Sequence, residues 1–328
     1  DYLQFGNTTD GTQSLKVTSV SAYTSNVTGI SPPPPTGTAA ELIGPTLLEV
    51  LNLPVLRDTD DECGVYIAAR GPLSGWAGAA LEMSTDGGAT WYDALTITES
   101  AVMGYAVTAL VAEPAGTLSV QTLDVYLPEA PESVDYGTML RYGNRAVIGS
   151  EVIQYTSVTS LGSNRYRLSG LARGSYNTTS SDHPEGARFI LIDGAISFVQ
   201  LPRGLIGSTV RFRAVSNGTD VDAAQIQSFA FSPCISQTEW PVHMLQASRD
   251  VSNTVVVTWI GRARIGASTS PYQSQYFSGY RVTFSDGFTA DTADSSYTRA
   301  SVPAGVTITV APLNRITGAG PITETITI

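Results

Sequence analysis

The sequence predicts a mostly β chain built of several small sandwich- or barrel-like domains. Apolar residues make up 42% of the chain and charged residues only 14%. Thr, Ser and Gly are abundant, which suits short strands joined by turns better than amphipathic helices. Alternating or short continuous apolar runs recur from end to end. At 328 residues the chain exceeds the roughly 150–250 residues that one hydrophobic core ordinarily organises, so several domains are expected.

Residues 1–30 read as strands, with Leu15, Val17 and Val20 set against Thr and Ser. The chain opens at Asp1 in mid-pattern, as expected of a fragment or processed product. Four consecutive prolines, Pro32 to Pro35, favour an extended linker over 31–45, because proline cannot donate to a central sheet. Thr46 to Arg57 is a strand leading to the acidic turn Asp58 to Glu62, which reads as a solvated turn, and GVYIAA follows as a second strand. Ser84, Asp86, Gly88 and Trp91 fit the Asp-box spacing S-x-D-x-G-x-x-W. There short polar side chains tie a hairpin turn and glycine supplies the unusual backbone angle. A single copy without a 40–50 residue repeat gives no support for a propeller, and the motif is a folding device.

Tyr105 to Tyr126 supplies two more strands, and the passage to Asn144 holds a short helical turn or a hairpin. Arg145–Thr156, Arg165–Leu171 and Arg188–Asp193 have strand composition, and Phe198–Leu201, Val210–Val215 and Ile226–Phe231 continue the pattern. The expected division is 46–126 as the first part of a sandwich, 127–206 as an inserted β domain, 207–232 as the return strands, and 233–328 as a last domain. In the insertion, an Arg173-Gly174 turn and the polar loop to Gly186 are expected to shape a surface.

In the last domain, Trp259 on an early strand faces the later run VTITVAPLN from Val306, with further strands at Tyr280–Phe284, Tyr297–Val302 and Ile322–Ile328. This spacing resembles a fibronectin type III domain. Val306 stands where that family places a tyrosine, and the segment Gly261 to Gly279 is unusually long.

Chemistry is sparse. Net charge is −11 and Lys16 is the only lysine, so no basic stripe exists for direct nucleic-acid binding. Cys63 and Cys234 have no metal-site spacing and read as two separate buried thiols. No run approaches the roughly 18 apolar residues of a membrane span. His183 and His243 stand beside no nucleophile motif. Asp182, Glu185 and Asp193 read as turn acids rather than a glycosidase pair, and Asp58 to Glu62 lacks the spacing of a calcium loop. The sequons at Asn7, Asn26, Asn177 and Asn217 are unremarkable in a Thr-rich chain. No catalytic residue, metal ligand or cofactor is assigned. Loop residues on a rigid scaffold carry recognition, which selects Tyr176, Asn177, His183, Tyr272, Tyr276 and Phe277 as candidate contacts.

The ordered runs NRAVIGSEVIQY (Asn144–Tyr155), YRLSGLARG (Tyr166–Gly174) and TTSSDHPEGARFILID (Thr178–Asp193) are similar to the C-terminal region of the tail-tip hub proteins of phages and gene-transfer agents, the phage tail protein family. LPVLRDTDD, WAGAALEMSTDGG and VTWIGRARI agree, so the likeness covers most of 45–285. It implies a non-enzymatic virion protein of the tail tip, a baseplate hub or central fibre-like component in assembly, host attachment and genome delivery. Residues 1–30 would end a preceding hub domain. The implied partners are two further copies in a homotrimer, other tail-tip proteins, and a host surface receptor or glycan. The alternative is a non-catalytic accessory region of a secreted carbohydrate-active enzyme, or a surface adhesin.

Overall fold

The computed structural model describes residues 2–7, 13–18, 43–114, 118–141, 143–266 and 272–328. The chain forms two units, Asp1–Glu41 and Leu42–Ile328. In the first, β1 (Tyr2–Asn7) and β2 (Gln13–Thr18) pair antiparallel, Tyr2 opposite Thr18 and Asn7 opposite Gln13. The linker expected at 31–45 lies outside the described residues up to 42, as does the sequon at Asn26.

The second unit begins with β3 (Leu47–Leu51), β4 (Gly64–Arg70), β5 (Ala79–Ser84) and β6 (Tyr92–Ile97). Next come β7 (Met103–Ala106), β8 (Leu118–Ser119), β9 (Leu123–Tyr126), the short helix α1 (Tyr136–Leu140), β10 (Arg145–Ile148) and β11 (Glu151–Gln154). β12 (Ser157–Gly162), β13 (Arg165–Ser169), β14 (Leu171–Ser175) and β15 (Arg188–Leu191) complete that group. β16 (Ser197–Gln200), β17 (Thr209–Ser216) and β18 (Ile226–Ala230) follow.

These strands make two bodies. β3, β4 and β16 form one sheet in the order β16-β4-β3, and β5, β6, β17 and β18 form another in the order β18-β17-β5-β6. Facing each other, they enclose a core that includes Val65, Ile67, Leu81, Val210, Phe212 and Phe231. β17 shows the reason: Val210, Phe212 and Ala214 point inward on alternate positions while the intervening residues are exposed or half-buried. The other strands, β7 to β15, build one nine-stranded antiparallel sheet, order β12-β13-β9-β7-β15-β10-β11-β14-β8. It curls into a half-barrel over its own core of Leu123, Val125, Ile148, Ile153, Leu168 and Phe189.

The insertion therefore differs from the expected 127–206. Leu123–Tyr126 pairs with β13 and β7 of the half-barrel, so its strands start at Met103, just after the sandwich leaves at Ile97. Ser197–Gln200 pairs with β4, so the return strands begin at β16 and not at 207. Composition could not place these boundaries, because strands on both sides carry the same alternation and only hydrogen-bond partners distinguish them.

β4 is buried along nearly its whole length, with Val65, Ile67 and Ala69 in the sandwich core and Tyr66 and Ala68 on the opposite face. That opposite face packs on Met103, Val147, Val152 and Ile190 of the half-barrel. A near-continuous apolar run is what a strand buried on both sides requires. Gly64 opens it because a Cβ there would meet the Val199 carbonyl oxygen at 2.3 Å and the Phe198 ring at 2.5 Å.

Cys63 and Cys234 are joined in a disulfide, with Cα atoms 6.0 Å apart. The two separate thiols expected from sequence are corrected: the face-to-face packing of the two sheets brings the start of β4 and the segment after β18 together in one core, which a separation of 171 residues conceals.

The last domain contains β19 (His243–Arg249), β20 (Val255–Ile260), β21 (Phe277–Phe284), β22 (Thr289–Thr292) and β23 (Ser296–Arg299). It closes with β24 (Thr307–Asn314), β25 (Gly318–Ala319) and β26 (Thr325–Thr327), this last shorter than the strand expected from Ile322. Its sheets are β19-β20-β23 and β22-β21-β24-β25, with β26 also on β24. First, second and fifth strands face fourth, third, sixth and closing strands, the fibronectin type III arrangement. Trp259 sits edge-on to Tyr280 at 5.3 Å in a core with Val257, Val282, Ile308 and Val310. The first sandwich repeats the same strand order, with the half-barrel inserted between its fourth and fifth strands.

Replacing both Cys63 and Cys234 by Ser is expected to cost about 2–5 kcal/mol of stability, since the bridge closes a long loop in the unfolded chain. The urea midpoint measures it. An unchanged midpoint, with free thiols titrating in the unfolded wild type, would show that the bridge does not form.

Candidate functional site

The stretch from Leu140 to Asp193 folds around one buried carboxylate. Glu151 opens β11 with no exposed side-chain surface. Arg173, in neighbouring β14, donates from Nε to Oε1 at 2.7 Å and from Nη2 to Oε2 at 2.9 Å. The backbone N–H groups of Gly174 and Ser181 donate to the same carboxylate at 2.8 and 3.1 Å, and His183 Nε2 lies 2.7 Å from Oε2. Arg173 also donates to the carbonyls of Val111 and Ser181, both at 2.7 Å. Burial by itself raises the Glu151 pKa, but hydrogen bonds from His183, Arg173 and the two amides outweigh it and bring the pKa down to about 2. The cluster pins the 176–186 loop to the half-barrel.

Arg173 and Gly174 are thus part of a strand, with Arg173 buried, and do not form the expected surface turn. His183 is likewise corrected from a contact residue: it is 5% exposed, and its backbone exchanges hydrogen bonds with Leu110. A polar loop sequence gives no sign that a buried carboxylate waits for its histidine.

Beside this cluster lies a cleft of about 1040 Å³ between the half-barrel and the segments that lead into and close the last domain. Tyr136, Met139 and Leu140 of α1 and the turn from Ser175 to Thr179 line one side, and Pro233, Thr238, His243, Arg262 and Thr323 the other. Asp135 starts α1 by accepting from the Thr138 N–H at 3.0 Å. Tyr176 and Asn177 hold left-handed backbone, φ 58° and 61°, which is common for Asn and uncommon for Tyr. Thr178 stabilises the turn by donating to the Ser175 carbonyl at 2.7 Å and accepting from the Val152 N–H at 3.0 Å. The Tyr176 ring lies edge-on to Trp240 at 6.3 Å, and its hydroxyl accepts from Arg145 at 3.2 Å. Arg262 stacks over Trp240 at 4.9 Å and donates to Asn177 Oδ1 at 3.5 Å.

Of the remaining candidate contacts, Tyr272 is 51% exposed beside Ile265. The Tyr276 hydroxyl donates to Glu62 at 2.6 Å beneath the Arg203 guanidinium. Phe277 is corrected from an open loop: it starts β21 and packs at 5.2 Å on Tyr280 in the core. The candidates do not gather at one place. The cleft instead unites Tyr176 and Asn177 with Tyr136 and Arg262, residues that the sequence reading passed over. Arg262 lies within the run VTWIGRARI, whose family likeness was its only sequence signal.

The acidic turn is also corrected from a solvated one. Asp58–Asp60 forms a short 3-10 turn in which Asp60 accepts from the Tyr66 hydroxyl at 3.0 Å. Asp61 takes Arg264 Nη2 at 2.5 Å and the Ser274 hydroxyl at 2.9 Å, while Asp58 accepts from the Gly266 N–H at 2.8 Å. The described parts of the long segment, 261–266 and 272–279, therefore dock the last domain on the first sandwich. Asp182 accepts from the Ala112 N–H at 2.7 Å and Asp193 from that of Ala195 at 2.9 Å, so both brace backbone. In the hairpin, Ser84 donates to Asp86 at 2.8 Å, Asp86 accepts from the Thr90 N–H at 2.9 Å, and Trp91 donates to the Gly88 carbonyl at 3.1 Å. Arg213 covers Trp91 at 4.1 Å.

Residues 101–190, essentially the half-barrel, match the family described as Rcc01698-like, C-terminal. No curated protein matches the chain. Among solved structures, the FN1–FN3 domains of chicken CNTN1 align over 88% of this chain and 99% of theirs, at 15% identity and TM-score 0.22. A multi-domain stretch of titin aligns over 88% and 97%, at 11% identity and TM-score 0.22. The fold assignment rests on the strand orders described above.

Glu151→Gln is expected to destabilise the protein by about 3–5 kcal/mol, because it leaves Arg173 buried beside a neutral amide. The Glu151 pKa is depressed on folding, so its contribution is complete above its ordinary 4.5 and is lost as pH falls toward about 2. Urea midpoints measured between pH 5 and pH 2 should fall more steeply for the wild type than for the variant. Parallel slopes would show that Glu151 does not titrate in this way.

Proposed function

We propose that this chain is a non-catalytic structural component of a phage-type tail tip, a baseplate hub or central fibre-like protein serving tail assembly and host attachment. The observation that carries the reading is the ordered set of motifs from Asn144 to Asp193 and their likeness to tail-tip hub proteins. The placement of its polar residues supports it: Glu151, Arg173 and His183 hold one another and the backbone in a buried cluster. Two sandwiches and a half-barrel, packed together through buried apolar and ionic contacts, suit a load-bearing part. In this role the chain assembles as a homotrimer with other tail-tip proteins and acts at the virion surface.

Gold-conjugated antibody against the chain should label the tail tip of intact virions, and light scattering on the full-length protein should give the mass of a trimer. Label confined to capsids or to free secreted protein would overturn the proposal and favour an adhesin or the accessory region of a carbohydrate-active enzyme.

A further inference from the structure

The cleft beside the half-barrel has a chemical character unlike the rest of the chain. The protein carries 29 acidic residues, yet among the described residues none lines the cleft. Three basic side chains of the described residues face it, and two already have partners. Arg173 is held by Glu151, and His243 Nδ1 lies 3.2 Å from Glu324 Oε1. Arg262 is different: its side chain is exposed, the Trp240 ring and Asn177 orient it, and among the described residues no carboxylate pairs with it. The surrounding protein partly desolvates the guanidinium, which lowers its pKa without a compensating charge.

Around this cation the lining mixes hydrogen-bonding groups with the Tyr136 and Tyr176 side chains and with apolar ones such as Leu118, Leu140, Ile235 and Pro321. Tyr136 is 53% exposed at the mouth. Ser175, Thr179 and Thr323 contribute hydroxyls. A guanidinium recognises a carboxylate through paired, charge-assisted hydrogen bonds, and a phenol offers an apolar face with a polar tip. Hydroxyls set among apolar side chains suit a sugar, which presents hydroxyls that bind partly through water and apolar C–H faces that pack on rings and aliphatic groups.

An extended peptide fits less well. Binding by strand addition needs an open sheet edge, but β14 is paired on both sides, by β11 and by β8. The edge strand β8 has only two residues, too few to template a partner strand.

We propose that this cleft is a binding site for an acidic oligosaccharide, with Arg262 pairing a sugar carboxylate and Tyr136 packing against a sugar ring. The inference stands on the chemistry of the cleft and does not require the tail-tip reading, since it concerns the purified chain whatever its location.

Calorimetric titration of the full chain tests it, with tetragalacturonate as the acidic probe, maltotetraose as its neutral counterpart and hexaglutamate as an acidic peptide. Tetragalacturonate should bind saturably and more weakly as salt is raised. Arg262→Gln should weaken it by about tenfold, the loss of one charge-assisted pair. Tyr136→Ala, at an exposed position, should weaken it several-fold, and maltotetraose should bind less tightly than the acidic probe. Thermal melts of both variants report folding, and if Arg262→Gln does not fold, Tyr136→Ala and the salt dependence decide the matter. Absence of saturable binding by both tetragalacturonate and a sialylated tetrasaccharide would overturn the proposal. So would wild-type affinity in folded Arg262→Gln, or hexaglutamate binding as tightly as the saccharide, which would assign the cleft to acidic peptides.

Discussion

Strand β4 has no solvent-facing side over most of its length, and the larger architecture depends on that double burial. Its inward residues Val65, Ile67 and Ala69 close the first sandwich, while Tyr66 and Ala68 accept the half-barrel on the other face. A sheet covered on both faces cannot slip by one residue without exchanging two apolar sets, so β4 holds the two bodies in one relation. Its ends extend the constraint. Gly64 lets β16 approach within the space of a missing Cβ, and Cys63 ties the strand to the segment after β18 that leads into the last domain. The Tyr66 hydroxyl accepts from the Leu56 N–H at 2.8 Å and donates to Asp60, which anchors the acidic turn.

From that turn the last domain is held by charge. Arg264, nearly fully buried, reaches Asp61, Ser274, Gln237 and the Ser236 carbonyl, with Glu239 at 3.3 Å. Burial raises the Glu239 pKa in spite of Arg264 and Asn314. Such a network contributes less net stability than its number of contacts suggests, because desolvating the ions offsets much of their attraction. Its directional bonds specify instead how Arg264 and Ser274 seat on the first sandwich. The Glu151 cluster does the same for the 176–186 loop. Two buried ionic clusters thus place the two walls of the cleft, the loop on one side and Arg262, on the docked segment, on the other.

Much of this was legible in the chain, and the failures share a cause. The run GVYIAA announced a strand, VTITVAPLN and Trp259 announced the last sandwich, and the Asp-box spacing placed a hairpin whose bonds run between residues at most four apart. Local chemistry of that kind survives in a sequence because the partners are near. His183 and the acidic turn were misread because their partners are remote: Asp61 meets Arg264 across 203 positions, and Glu151 meets His183 across 32. A polar residue beside glycines looks like surface until the buried group it satisfies is known. The domain boundaries slipped for a related reason, since Leu123–Tyr126 has a strand's composition in either body.

The sequence by itself determined the class of fold, the alternation that builds each sheet, and the fibronectin-like spacing of the last domain, because these depend on periodicity and turn chemistry within short windows. Only the tertiary structure decided that the first sandwich shares that strand order around an inserted half-barrel, that Cys63 and Cys234 meet, and that Arg262, Tyr136 and Tyr176 border one cleft. Those outcomes depend on which distant segments pair, and pairing is settled by the burial of whole faces and the satisfaction of buried polar groups, quantities that belong to the folded chain and to no single stretch of it.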